Sequence, residues 1–169
     1  MEKEQIIQYI LQTYNEKSRF LQSFHLEEEK KGFALFKISS EFYCPKDQPA
    51  EYLTAVELQV CLNQLLYAYF SQLGLFDFIL RKENCYESLI KSIINDCYVV
   101  GQNFKFKKKI AVKELLHANI LIKKAKKIRD TSFMLCQFNF ENFCYGEITV
   151  VLKSEDNNTF HKITKLVAP

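Results

Sequence analysis

The stretch that decides the fold is Thr54–Gln72, TAVELQVCLNQLLYAYFSQ. Thr54 is a helix-capping residue type. Glu57, three positions on, completes a capping box in which each residue satisfies an orphan backbone N–H of the other's end. At about 1.5 Å rise per residue the helix spans roughly 28 Å. A turn of about 100° per residue puts Glu57, Gln64 and Ser71 on one narrow polar stripe. Most of the remaining circumference is Leu, Val, Cys, Tyr and Phe, the pattern of a helix enclosed on nearly every side. Asn63 breaks that pattern, falling among Val56, Val60, Tyr67 and Phe70. A buried carboxamide without partners costs roughly 1–3 kcal/mol. The expectation is a buried central helix that carries one inward polar group.

On the N-terminal side, Ile6, Ile7, Ile10, Leu11 and Tyr14 have helical spacing and predict a short amphipathic helix over Glu2–Tyr14. Arg19–Leu26 and Phe33–Ser39 read as two strands of a hairpin, joined by a charged turn at Glu27–Lys31. Gly32 is a candidate for positive φ. Glu41–Tyr52, with Pro45 and Pro49, is an irregular connection into the helix cap. On the C-terminal side Gly74 is a helix stop, and Leu75–Lys82 fits no single pattern. Asn84–Ile94 has helical spacing. Asp96–Phe106, Ala111–Ile122, Thr131–Phe140 and Tyr145–Leu152 read as strands, although VKELLHA alone looks helical. The tail from Lys153 is polar and is given no element. A long apolar helix after two strands, followed by an antiparallel meander, describes a sheet curled around a helix. This predicts an α+β hot-dog architecture, with residues 1–169 as one domain.

Composition fits that class. With 169 residues, 48% of them hydrophobic, the chain can bury a core of its own. Its 15 Phe and 9 Tyr suit strands or a lipid-lined cavity, and only 4 Gly argue against a glycine-built phosphate loop. A net charge of +3 does not call for nucleic acid. The six cysteines show no C-x-x-C spacing, and the N-terminus shows no secretory signal, which predicts a reducing, cytoplasmic location. Polar residues interrupt the central helix, so no membrane span is expected. The three histidines are scattered, and no metal-ligand spacing occurs.

The run Ala55–Phe70, with its box Cys61-Leu62-Asn63-Gln64-Leu65 followed by Tyr67, resembles the central helix of the FcoT-like thioesterases. Tyr14, Tyr43, the run Asn103–Lys109 and Gly146-Glu147-Ile148 extend the likeness along most of the chain. The resemblance implies a hot-dog enzyme on fatty acyl thioesters, as a homodimer or larger homo-oligomer. The substrate would carry coenzyme A or the phosphopantetheine of an acyl carrier protein, with no separate cofactor and no metal. Two reactions are implied, thioester hydrolysis and glycine addition to a (2E)-enoyl carrier-protein thioester, with glycine addition slightly ahead. The family's two tyrosines and two asparagines map to Tyr14, Tyr43, Thr54 and Asn63. The chain departs from the pattern in having Thr where the family usually has Asn, and in a longer Tyr43–Thr54 connection.

These positions suit the chemistry. A thioester carbonyl gains negative charge when attacked, and the amides at Ala55, Val56 and Glu57 lie at the positive end of a helix dipole. Tyr14 and Tyr43 would donate hydrogen bonds to that oxygen. Asn63 would hold the carbonyl or orient the attacking molecule, and Tyr67 would line the substrate. Each has a structural reading beside it: Asn63 serving only a backbone group, Glu57 only the cap, and the tyrosines only a core edge. Lys105, Lys107 and Lys108 would draw in coenzyme A phosphates or an acidic carrier. Otherwise, with Lys109 and the cluster Lys123–Arg129, they protect a sheet edge from aggregation. A non-catalytic acyl-binding protein is the reading from another functional class.

Overall fold

The computed structural model describes residues 3–38, 51–77, 79, 86–109, 111, 115–141, 143–154 and 157–167. The elements are α1 (Lys3–Gln12), β1 (Leu21–Glu27), β2 (Lys31–Lys37), α2 (Ala55–Gln72), α3 (Tyr86–Asp96), β3 (Cys97–Phe106), β4 (Leu115–Ile128), β5 (Thr131–Phe140), β6 (Cys144–Lys153) and α4 (Asn157–Val167). The six strands form one antiparallel sheet in the order β1-β2-β4-β5-β6-β3. The sheet wraps α2, which is the expected α+β hot-dog arrangement.

The strand sequences explain which face turns inward. Burial alternates along β2, β4 and β5 with the period of two that the pleat imposes. Phe36, Ile120, Met134, Cys136, Phe138 and Ile148 all face the helix and are sealed from solvent. Tight turns carry their strain on acidic and basic residues: Glu28, Glu29, Arg129 and Glu141 all have positive φ. Gly32 does not, contrary to expectation. It sits within β2, where an added Cβ would lie 2.8 Å from the Phe24 ring and 2.9 Å from that of Tyr69. Its small size, rather than its freedom, is what the fold uses. Above it Tyr69 joins helix to sheet, donating to the Lys30 carbonyl (2.5 Å) and accepting from the Ile122 N–H (3.3 Å).

Two expectations about elements change. β4 runs past the expected end at Ile122 to Ile128, through an irregularity at Ile122/Lys124, so the basic run lies on a strand. The polar tail folds into α4, whose Ile163 is fully buried and whose Lys162 pairs with Asp77 at 2.8 Å. The spacing Phe160, Ile163, Val167 carried this helical signal and was obscured by the surrounding charge.

The central correction concerns the expectation of a single inward polar group at Asn63: the polar residues that turn inward on α2 are those of the stripe. Glu57, Gln64 and Ser71 are all buried, at 2%, 1% and 1% exposure, whereas Val56 on the apolar arc is 51% exposed. Gln64 Oε1 accepts from the backbone N–H groups of Phe20 (3.1 Å) and Leu21 (3.0 Å), and its Nε2 donates to the Ser18 carbonyl (2.6 Å). The helix carboxamide thus supplies partners to three backbone groups where the chain enters β1. Gln59, Val60, Asn63 and Tyr67 are left only half-buried on the other side of the helix.

Gln64→Leu keeps the side-chain bulk and orphans three backbone groups. It should lower unfolding free energy by about 3 kcal/mol or more, since each unsatisfied buried group costs roughly 1–3 kcal/mol. Urea denaturation checks this, and a loss below about 1 kcal/mol would mean that water replaces the lost contacts.

Candidate active site

The open face of α2 looks onto the junction of α3 with β3. Between them lies a cavity of about 390 Å³, whose walls include Gln59, Asn63, Tyr67, Cys97, Val99 and Gln102. That volume falls in the range of small-molecule sites, roughly 300–1,000 Å³. None of the residues lining it is charged. Its polar groups are therefore carboxamides, two phenols (Tyr67 and Tyr98) and a thiol.

Asn63 and Gln59 act as a pair. They lie one turn apart on the same helix face, and Gln59 Nε2 donates to Asn63 Oδ1 at 2.9 Å. This bond fixes the Asn63 amide plane and leaves its Nδ2 with no acceptor among the described residues. Gln59 Oε1 is sealed and has no donor. Asn63 Nδ2 is thus an unspent amide donor at the cavity, with the sealed Gln59 Oε1 behind it as an unspent acceptor. Sequence reading singled out Asn63 and missed Gln59, although the i, i+4 spacing was a visible signal.

The helix tip is arranged differently from expectation. Thr54 N–H and Thr54 Oγ1 both donate to Glu57 Oε2 (2.8 and 2.5 Å), and Thr54 Oγ1 accepts from Val56 N–H (3.2 Å). Both halves of the capping box are formed. The Val56 amide is spent on the cap. Thr54, Ala55, Val56 and Glu57 do not line the cavity, which begins one turn further along at Gln59. Ala55 and Val56 are exposed, and the Glu57 carboxylate is buried against the cap.

The tyrosines divide. Tyr67 lines the cavity directly. Tyr14 stands behind it, in a second hollow that Tyr67 also lines. Burial pushes the Tyr14 phenol up to about 12, and burial first, with Cys97 and Tyr14 nearby, raises that of Tyr67 further. Both stay protonated donors at neutral pH. Tyr43 lies outside the described residues.

The basic residues are elsewhere. Lys105 and Lys107 reach over the Tyr145 ring (5.8 and 4.8 Å), and Lys108 covers Phe143 at 4.4 Å. Lys105 and Lys107 alternate with Phe104 and Phe106 along the strand, and Phe104 packs edge-on against buried Phe138. None of the three lysines lines the cavity. Cys97 does, but burial and then Asp96 hold its thiol up at about 12, so it offers no thiolate at neutral pH. Cys61 is raised too, by burial and then by the Glu57 charge. Among the described residues, no group of three His, Cys, Asp or Glu side chains could hold a metal ion, and no helix is long and apolar enough to cross a membrane.

No protein-family model matches the chain, and no curated protein does. Solved structures do. Cj0977, a sigma28-regulated virulence protein of Campylobacter jejuni, is 8% identical over 90% of each chain, with a TM-score of 0.52. A mutant of thioesterase PA1618 from Pseudomonas aeruginosa is 12% identical over 91% of this chain and 95% of that one, with a TM-score of 0.52. A hypothetical thioesterase from Streptococcus pneumoniae, solved with coenzyme A, is 11% identical over 78% and 85%, with a TM-score of 0.50. At such identities the likeness concerns the fold alone. The fold is the hot-dog fold.

The buried thiols and phenols make a pH prediction. Cys144 is raised to about 11 and Cys97 and Tyr14 to about 12, all by burial. Below about pH 7.5 both the folded and the unfolded chain keep these protons. From there up to the raised values the unfolded chain gives them up first, its thiols before its phenols, so stability falls as pH rises. The urea midpoint should drop between about pH 7.5 and about pH 10.5. An unchanged midpoint would contradict the burial of these groups.

Proposed function

We propose that this chain is an acyl-thioester enzyme, and that hydrolysis is the reaction its cavity suits best. The observation that carries this is the Gln59–Asn63 pair. It presents a free amide N–H in an uncharged hollow of about 390 Å³ on the open face of the central helix. Water adds to the thioester carbonyl carbon, and the carbonyl oxygen becomes an oxyanion that accepts from Asn63 Nδ2. Collapse breaks the C–S bond. The attacking water's proton leaves through solvent to the departing sulfur, giving a fatty acid and a thiol. In a site without competing charge, one such donor is worth roughly 10²–10³ in rate. Gln59 is a positioning residue for Asn63, and its sealed oxygen gains a partner if substrate or water brings a donor.

Support also comes from the structural neighbours, two of which are described as thioesterases, one of them solved with coenzyme A. Glycine addition, which the resemblance to FcoT-like proteins implies, needs a cation for the glycine carboxylate. The residues lining the cavity include none, and water needs none, so hydrolysis takes precedence. Tyr67 is a further donor beside this centre, and a catalytic role for Tyr14, which stands in the hollow behind it, comes from the resemblance alone. Tyr43 is a proposal from the resemblance alone, and Thr54 serves the helix cap. The free, buried cysteines fit a reducing cytoplasm.

The working unit is a homodimer. β3 is a ten-residue edge strand with Val99, Val100 and Phe106 exposed, close to exposed Ile94. A long apolar edge of this kind is covered in the working protein, and a second copy paired along β3 covers it while closing the cavity mouth. Lys105, Lys107 and Lys108 then supply positive potential for coenzyme A phosphates or the acidic face of a carrier protein.

Decanoyl-CoA and decenoyl-carrier protein, each with and without glycine, test the reading by mass spectrometry. Free fatty acid is expected. A product heavier by glycine would establish addition instead, and tight binding without turnover would establish a binder. Asn63→Ala should lower kcat/KM about 100-fold with unchanged thermal stability. A full rate in that variant would remove Asn63 from the chemistry.

A further inference from the structure

Two hollows meet at Tyr67. The first is the uncharged cavity of Gln59 and Asn63. The second, of about 120 Å³, lies where α1, α2 and α3 converge, and its walls include Ile10, Tyr14, Ile90 and Ile93. Tyr67 and Ile94 line both. The isoleucines of the second hollow are fixed in the core: Ile10, Ile90 and Ile93 are 4%, 8% and 1% exposed. Tyr67 differs from them. It is only half-buried, and its hydroxyl has no hydrogen-bond partner among the described residues. Its ring is held by packing alone, with Phe76 at 6.5 Å between centroids. A helical tyrosine has two favoured χ1 settings, and no polar contact ties this one to either.

We propose that the hollow among α1, α2 and α3 receives the far end of the substrate's acyl chain, and that Tyr67 is the partition that sets the accepted chain length. The inference rests on the thioester reading above. The polarity of the two spaces is ordered for it. A carbonyl held at Asn63 leaves its chain running one helical turn, about 6 Å, toward Tyr67. Beyond that ring the walls are mostly aliphatic. Chains that end before Tyr67 need no movement. Longer chains must displace its ring, and each methylene that then leaves water gains about fourfold in affinity. Thr13, which is exposed, stands at the rim of the second hollow and allows it to be filled from outside without disturbing the core.

The test uses the full-length protein with straight-chain acyl-CoA substrates from butanoyl to hexadecanoyl. Calorimetric binding of the matching S-alkyl-CoA thioethers serves as a readout independent of turnover. Tyr67→Ala should move the optimum to longer chains, with the long-over-short ratio of kcat/KM rising about fourfold per methylene admitted. Thr13→Phe should move it to shorter chains, and should weaken the longest thioethers most. If Tyr67→Ala does not fold, Thr13→Phe decides alone. A wild-type enzyme that cleaves acyl-CoA, with variants whose chain-length profile and thioether affinities match it, would overturn the partition and leave the thioester reading standing. A wild type that neither cleaves the substrates nor binds the thioethers would overturn both.

Discussion

Gln64 hangs the central helix from the chain that enters β1. Three hydrogen bonds run from one buried carboxamide to Ser18, Phe20 and Leu21. They fix the rotation of α2 about its axis, because no other orientation satisfies those backbone groups. Tyr69 adds a second tie, to Lys30 and Ile122. With the helix locked in this way, Gln59, Asn63 and Tyr67 can only face outward toward β3. The site is a consequence of that rotation. A turn of about 100° would carry the Asn63 amide into the hydrophobic core and leave the β1 entry unsatisfied.

The polar groups that line the cavity this creates are all neutral. An amide donor in a hollow lined by no charged side chain faces little competition from water or counter-charge, and its field on a developing oxyanion is correspondingly strong. Phenols kept protonated by burial extend the same character to Tyr14 and Tyr67. The cationic groups lie apart, at and just beyond the end of edge strand β3, over the rings of Tyr145 and Phe143. On the proposed reading, chemistry and substrate attraction would be separated: uncharged donors inside, lysines outside for the phosphate-bearing end of the substrate.

Much of the fold was legible because its periods are clean. The alternation of Thr131–Phe140 and the Thr54–Glu57 capping box give a strand and a helix start that the structure reproduces. The sense of the α2 stripe was not legible. Glu57, Gln64 and Ser71 look solvent-facing by type, yet the first two are consumed by backbone groups, and Gln64's partners lie more than 40 residues away. Hydrophobic pattern counts polar side chains as outward and cannot see a partner distant in sequence. The same limit hid α4, whose apolar positions are diluted by His161, Lys162 and Lys165. Asn63 was legible as an anomaly. Its pairing with Gln59 was available from spacing. Its exposure to a cavity was not, since that depends on where α3 hands over to β3. At the helix tip the capping box takes the Val56 amide, and the cavity begins one turn further along, at Gln59.

The most direct measurement is a crystal structure of the protein with a non-hydrolysable acyl-CoA analogue in which methylene replaces the thioester sulfur. The ketone oxygen should lie within hydrogen-bonding distance of Asn63 Nδ2, with the chain pointing past Tyr67. An analogue bound elsewhere on the molecule, or a ketone facing away from Asn63, would contradict the site.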